Sequence, residues 1–75
     1  MRELIEHIAK SLADKPEEVV VTRIEFPDSI TIELRVAPED MGKVIGRQGR
    51  IAKAIRTLLK AATLNEDQPY FLEIT

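Results

Sequence analysis

No cysteine occurs among the 75 residues, which excludes disulfides and thiolate metal sites and suits a reducing interior. Tryptophan is also absent, and one tyrosine and two phenylalanines make up the aromatic complement. No apolar run approaches the length of a membrane span, and no basic start, apolar stretch and small-residue cleavage pattern opens the chain. The expectation is a cytoplasmic protein without membrane contact. Glycine is scarce and clustered: Gly42, Gly46 and Gly49 are the only three.

Catalytic groups are equally sparse. The single histidine, His7, lies between Glu3 and Lys10 on the polar side of a helical pattern and reads as a surface residue. The acidic pairs Glu17-Glu18, Glu39-Asp40 and Glu66-Asp67 fall at loops or helix starts, where they read as solvated turns and dipole partners. No nucleophile–base pair suggests itself. The expectation is therefore a protein that is not an enzyme, with no catalytic residue, no metal and no cofactor.

What is present is a composition of 44% apolar and 32% charged residues, typical of globular chains. Its length suits one small domain, residues 1–75, near the lower limit for a single core. The net charge is −2, which by itself argues against a polyanion partner. Its distribution argues the other way. Lys43, Arg47, Arg50, Lys53, Arg56 and Lys60 give residues 43–60 a charge of +6 with no acid among them. The other five basic residues face all thirteen acids, for −8. An acidic chain with one wholly basic segment offers a polyanion a single preferred face.

Periodicity gives the elements. Leu4, Ile5, Ile8, Ala9 and Leu12 recur at helical spacing over 2–13, and Asp14-Lys15-Pro16 ends that helix. Val20, Thr22, Ile24 and Phe26 share one phase of a first strand, and Pro27-Asp28-Ser29 reads as a turn. Ile30, Ile32, Leu34 and Val36 alternate with polar residues in a second strand, antiparallel to the first. Pro38 suits the first turn of a short helix, with Glu39 and Asp40 matched to its dipole and Gly46 as a left-handed terminator. A longer helix runs from Arg50 to about Leu64, with Ile51, Ile55, Leu58, Leu59 and Ala62 on one side. Tyr70, Leu72 and Ile74 alternate in a last strand, with Phe71 in the opposite phase, where it reads as a partly covered edge residue or else as a partner contact. The order α-β-β-α-α-β predicts an α+β domain in which a right-handed crossover sets strands two and three parallel. Three helices should cover one face of a three-stranded mixed sheet.

The two later glycines frame Gly46-Arg47-Gln48-Gly49. A bare G-x-x-G arises by chance in roughly one chain in three of this length, so its setting carries the argument. It joins two helices, which lets the backbone turn sharply where no Cβ obstructs a phosphate. The N–H groups opening the second helix point into that turn. Arg50 and Lys53 stand in that helix's first turn without an acid, against the dipole preference and in favour of an external anion. Lys53, Arg56 and Lys60 share one face of the helix. Ile55 reads as core, while Val44, Ile45 and Ile51 are candidates to floor a groove beside the turn. The loop lacks the G-x-x-x-x-G-K-[ST] pattern of a nucleotide-hydrolysing loop.

Val44-Ile45-Gly46-Arg47-Gln48-Gly49, followed by Lys53 and Ile55, resembles the core of a KH domain of type II. The run Val36-Ala37-Pro38-Glu39-Asp40-Met41-Gly42-Lys43 into the loop resembles the small bacterial single-KH family of KhpA proteins. The resemblance covers essentially the whole chain. Ala52 is one departure, standing where many KH domains carry a branched aliphatic residue.

This resemblance implies a single-stranded RNA-binding protein that acts as an RNA chaperone, with a role in cell shape. Its loop would clamp the backbone of about four nucleotides while bases lie in an aliphatic groove. Gly46 and Gly49 would admit the backbone, and Arg47, Gln48, Arg50 and Lys53 would meet phosphates. Lys43 and Arg56 would extend the field, and Val44, Ile45 and Ile51 would touch bases. The implied partners are RNA, a second copy of the chain, or a larger KH-containing protein. The alternative is a KH-like module that acts mainly through such protein contacts.

Overall fold

The computed structural model describes residues 2–75. Helix α1 (Arg2–Leu12) buries Ile5 and Ala9, four apart on one stripe, and keeps its charges outside. Lys10 and Glu6 pair at 3.3 Å on that outer side. A 3-10 turn at Pro16–Glu18 then leads into β1 (Val20–Glu25), and the chain returns as β2 (Ile30–Arg35). A second 3-10 turn, Pro38–Asp40, precedes α2 (Met41–Ile45). A third, Arg47–Gly49, joins α2 to α3 (Arg50–Ala62), and β3 (Tyr70–Ile74) closes the fold.

The sheet order is β1-β2-β3, with β1–β2 antiparallel and β2–β3 parallel. Val21, Leu34 and Ile74 form one row across the inner face, and Ile32 pairs with Leu72 in the next. Helices α1 and α3 pack on this face, and α2 packs against both of them. The α+β architecture and the parallel placement of the last two strands are as the sequence predicts. Ile30, Ile32, Leu34 and Val36 are all buried, in keeping with their strict alternation.

Periodicity leaves one pattern open and differs from the structure in another. In β1 the phase of Val20, Thr22 and Ile24 faces away from the helices, and Val19 and Val21 are the buried residues. The run Val19-Val20-Val21 has no alternation, so the packing of α1 chooses the inner face where the sequence cannot. In α3 the buried stripe is Ala52, Ile55 and Leu59, while Leu58 and Ala62 lie outside it. The helix also stops two residues before Leu64. The Thr63 hydroxyl donates to the Leu59 carbonyl at 2.7 Å, and the Thr63 N–H bonds the Lys60 carbonyl in place of a further helical turn.

Candidate nucleic-acid interface

The loop between α2 and α3 is built by three residues in unusual backbone conformations. Gly46 has φ 80° and ψ 169°, an extended region at positive φ that is essentially reserved for glycine. It is thus a sharper device than the left-handed terminator expected from sequence. Its N–H still closes α2 by donating to the Gly42 carbonyl at 2.9 Å. A Cβ at Gly46 would stand 2.7 Å from Cγ1 of Ile51, so the loop packs directly onto the first turn of α3. Gln48 (φ 59°) and Gly49 (φ 72°) are both left-handed. Gln48 is the only non-glycine residue at positive φ among those described, and such strain gathers at binding sites.

These dihedrals decide where the backbone donors go. The Gly49 N–H bonds the Gly46 carbonyl at 3.1 Å, and the Arg50 N–H bonds the Arg47 carbonyl. The first N–H of α3 is therefore consumed inside the loop, contrary to expectation. The Gly46–Gly49 turn, not the helix start, is therefore the part of the backbone that Gly46 and Gly49 leave open to approach. Helix α3 opens with no side-chain cap and no acid in its first turn, so the positive end of its dipole has no internal counter-charge.

The cations sort by partner. Lys15 pairs with Glu39, Arg23 with Glu25, and Lys43 with Asp14. Among the described residues Arg47, Arg50, Lys53, Arg56 and Lys60 form no ion pair, and all five are exposed. Arg50 reaches only the Gln48 side-chain oxygen, at 3.4 Å. Lys43, expected from sequence to extend the field, is the one cation of residues 43–60 with an acidic partner among the described residues. Its hydrogen bond to Asp14 is the main cause of a pKa raised above the ordinary lysine value, and Asp14 meets its charge.

Val44 is fully buried and offers no surface to a base, so its place is in the core beneath the loop. Ile45 and Ile51 keep partial exposure on either side of the turn. Ala52, the departure from the KH pattern, is buried under α3, as is Ile55.

Two features were not foreseen. Asp40, read as a dipole partner, is 1% exposed and reaches back to the end of α1. Its carboxylate accepts the N–H groups of Lys15 at 2.9 Å and Asp14 at 3.1 Å. Those bonds hold its pKa below the ordinary aspartate value and tie the start of α2 to the α1–β1 connection. No local signal separates an aspartate that caps its own helix from one that clasps a segment 25 residues away. The second feature is a cleft of about 590 Å³ between α3 and the β3 edge, with Arg56 and Lys60 on one wall and Phe71 on the other. Glu66 and Asp67 stand among its lining residues. Only the crossover from α3 into β3 brings this aromatic beside the basic helix.

A β-α-α-β core with a strained G-x-x-G turn and unpaired cations beside it defines a KH domain. The chain matches the family model described as "KhpA/KhpB, KH domain" over residues 2–74, and it belongs to that family. It is 61% identical over 74 residues to the RNA-binding protein KhpA of Clostridium perfringens, covering 99% of both chains. Its identity to the KhpA of Caldanaerobacter subterraneus is also 61%, with 99% of both chains covered. For the KhpA of Listeria monocytogenes the figure is 55%, covering 99% of this chain and 97% of the relative.

Proposed function

We propose that this chain binds single-stranded RNA in the bacterial cytoplasm and acts there as an RNA chaperone of modest affinity. The observation that carries this reading is the loop: a Gly46–Gly49 turn with three residues at positive φ, ringed by cations that form no ion pair among the described residues. Phosphates approach at Gly46 and Gly49, Arg47 and Arg50 neutralise them, and Gln48 adds a neutral donor. Lys53, Arg56 and Lys60 continue the positive track along α3. From Arg50 to Lys60 this track is roughly 15 Å long, which matches the few nucleotides a KH loop clamps. Ile45 and Ile51 provide apolar contact for bases next to the loop. Glu66 and Asp67 are among the lining residues of the cleft and oppose further phosphate there. The RNA-binding name of the KhpA relatives agrees with this reading.

If about three phosphates are neutralised, log affinity for a short single strand should fall against log salt with a slope near −2. Raising salt from about 50 to about 200 mM then weakens binding roughly twentyfold. Titrating fluorescent single-stranded RNA at several salt concentrations measures this. A slope near zero would remove the electrostatic clamp from the account.

A second reading rests on Leu58, a large apolar residue of α3 that is 46% exposed beside the cations. In it the domain acts mainly as a docking unit for a second copy or a larger KH protein. Absence of RNA binding near physiological salt, together with tight protein association, would favour that reading.

A further inference from the structure

The sheet has a second face, and no helix covers it. Its outward positions are Val20, Thr22 and Ile24 on β1, Thr31, Glu33 and Arg35 on β2, and Phe71 and Glu73 on β3. The strand registers set Ile24, Thr31 and Phe71 side by side as one row across all three strands. Phe26 continues the phase of Ile24 just past β1. Phe71 is 55% exposed and Phe26 48%, so two of the three aromatics of this chain meet solvent at one end of the sheet. Single exposed apolar residues need no explanation, but Ile24 and Phe71 flanking Thr31, with Phe26 beside them, gather apolar surface on an uncovered face, which marks an interaction surface.

The neighbouring row gives the surface its sign. Glu33 and Glu73 are direct partners in the β2–β3 register, and two carboxylates side by side do nothing to hold strands together. Further acids stand near the Phe26 end of the sheet: Asp28 in the β1–β2 turn, and Glu66 and Asp67 in the loop that also lines the α3 cleft. The Gln68 amide donates to the Pro27 carbonyl at 3.0 Å, and the Ile30 N–H donates to the Pro69 carbonyl at 2.9 Å. These bonds draw the loop that carries Glu66 and Asp67 against the turn that carries Asp28. Among the described residues none of these five acids forms an ion pair. Arg35, the one cation at the outward positions, lies roughly 13 Å along β2 from Thr31.

An acidic rim around apolar residues selects among occupants. RNA is repelled. A second copy packed row on row across a twofold axis would set acid against acid. A segment with an apolar stripe flanked by lysine or arginine fits both the row and the rim. We propose that the helix-free sheet face is a docking site for a cationic amphipathic segment of a partner protein. It lies on the opposite side of the sheet from the α2–α3 loop, and the two surfaces meet only at the β3 edge, where Phe71 also lines the α3 cleft.

The test titrates the isotopically labelled full chain with a designed leucine–lysine helical peptide, and in parallel with its leucine–glutamate counterpart. The lysine peptide should shift the amide resonances of Thr22, Ile24, Thr31, Glu33 and Glu73, and the glutamate peptide should not. The variants Glu33→Gln/Glu73→Gln and Ile24→Thr should each weaken the lysine peptide roughly tenfold while leaving RNA affinity unchanged. The Gln pair should also raise the unfolding midpoint slightly by removing the like-charge neighbours, an effect that a loss of folding cannot mimic. Four results would each overturn the proposal: no binding at millimolar lysine peptide, shifts confined to α3, sheet-face shifts caused by RNA, or sheet-face shifts that follow protein concentration alone.

Discussion

Replacing Gly46 with alanine is expected to cost about 3 kcal/mol of folding stability, the largest effect among the three glycines. Two terms add. A non-glycine residue held at φ 80° and ψ 169° is strained by about 1–3 kcal/mol. The new Cβ would also lie 2.7 Å from Cγ1 and 3.0 Å from Cβ of Ile51, and overpacking of this kind costs about 1–3 kcal/mol. Ile51 sits in the first turn of α3 and packs against the core, so it cannot simply swing aside. For a domain of this size the thermal midpoint should fall by at least about 10 °C.

The other glycines supply the scale. A Cβ at Gly49 meets nothing within 4 Å, so Gly49→Ala carries only the left-handed penalty of about 1–2 kcal/mol. Gly42 lies inside α2 with ordinary backbone angles and open space around it. Gly42→Ala should therefore gain up to about 1 kcal/mol through helix propensity. Denaturant unfolding of the three variants should rank them Gly42, Gly49, Gly46 from most to least stable. A Gly46→Ala protein as stable as Gly42→Ala would contradict the loop geometry.

Asp40 is the second position where a large effect is expected. Replacing it with alanine removes both acceptors that hold the Asp14 and Lys15 N–H groups, and it releases the start of α2 from the end of α1. Lys43 would keep Asp14 as its partner, but Asp14 would no longer be anchored. The thermal midpoint should fall by several degrees. RNA affinity should fall as well, because α2 delivers the loop.

The same carboxylate gives a pH signature. Hydrogen bonds from Lys15 and Asp14 depress its folded pKa, so the folded state favours the ionised form more than the unfolded state does. Its contribution is therefore intact above the ordinary aspartate value of about 4. It is lost as the pH falls from there through the depressed folded value. Asp40→Asn keeps one acceptor and cannot titrate. Its stability should vary less with acid over that window, while near neutral pH it should lie between wild type and Asp40→Ala. Parallel acid slopes for wild type and Asp40→Asn would show that Asp40 is not the clasp described.

How much of this was legible beforehand follows from the range of each interaction. The alternation of Ile30 to Val36 and the helical spacing of Ile5 and Ala9 are local, and both elements formed as read. The choice of face in β1 was not local, since Val19-Val20-Val21 fits either phase until α1 packs against it. The glycine loop was legible because positive φ leaves a mark on residue type at Gly46 and Gly49. Gln48 at φ 59° leaves none, and neither does the fate of the Arg50 N–H. Charge was legible as a segment sum of +6 but not as partners. Lys43 belongs to that sum, yet Asp14 takes its charge. Val44 was read at the loop because of its neighbours, although the third dimension puts it under the loop and leaves Ile45 and Ile51 at the surface.

The central claim is that the Gly46–Gly49 turn, with Arg47 and Gln48 at its tip, and the cations around it form the RNA clamp. The most direct test is the double variant Arg47→Asp/Gln48→Asp, titrated with short single-stranded RNA across a range of salt. Aspartate tolerates the left-handed conformation at position 48, so the loop can keep its path, and circular dichroism should report an unchanged fold. The account predicts an affinity loss of roughly thirtyfold or more at low salt, equivalent to about 2 kcal/mol, together with a flatter salt dependence. Undiminished RNA affinity in a folded double variant would contradict it.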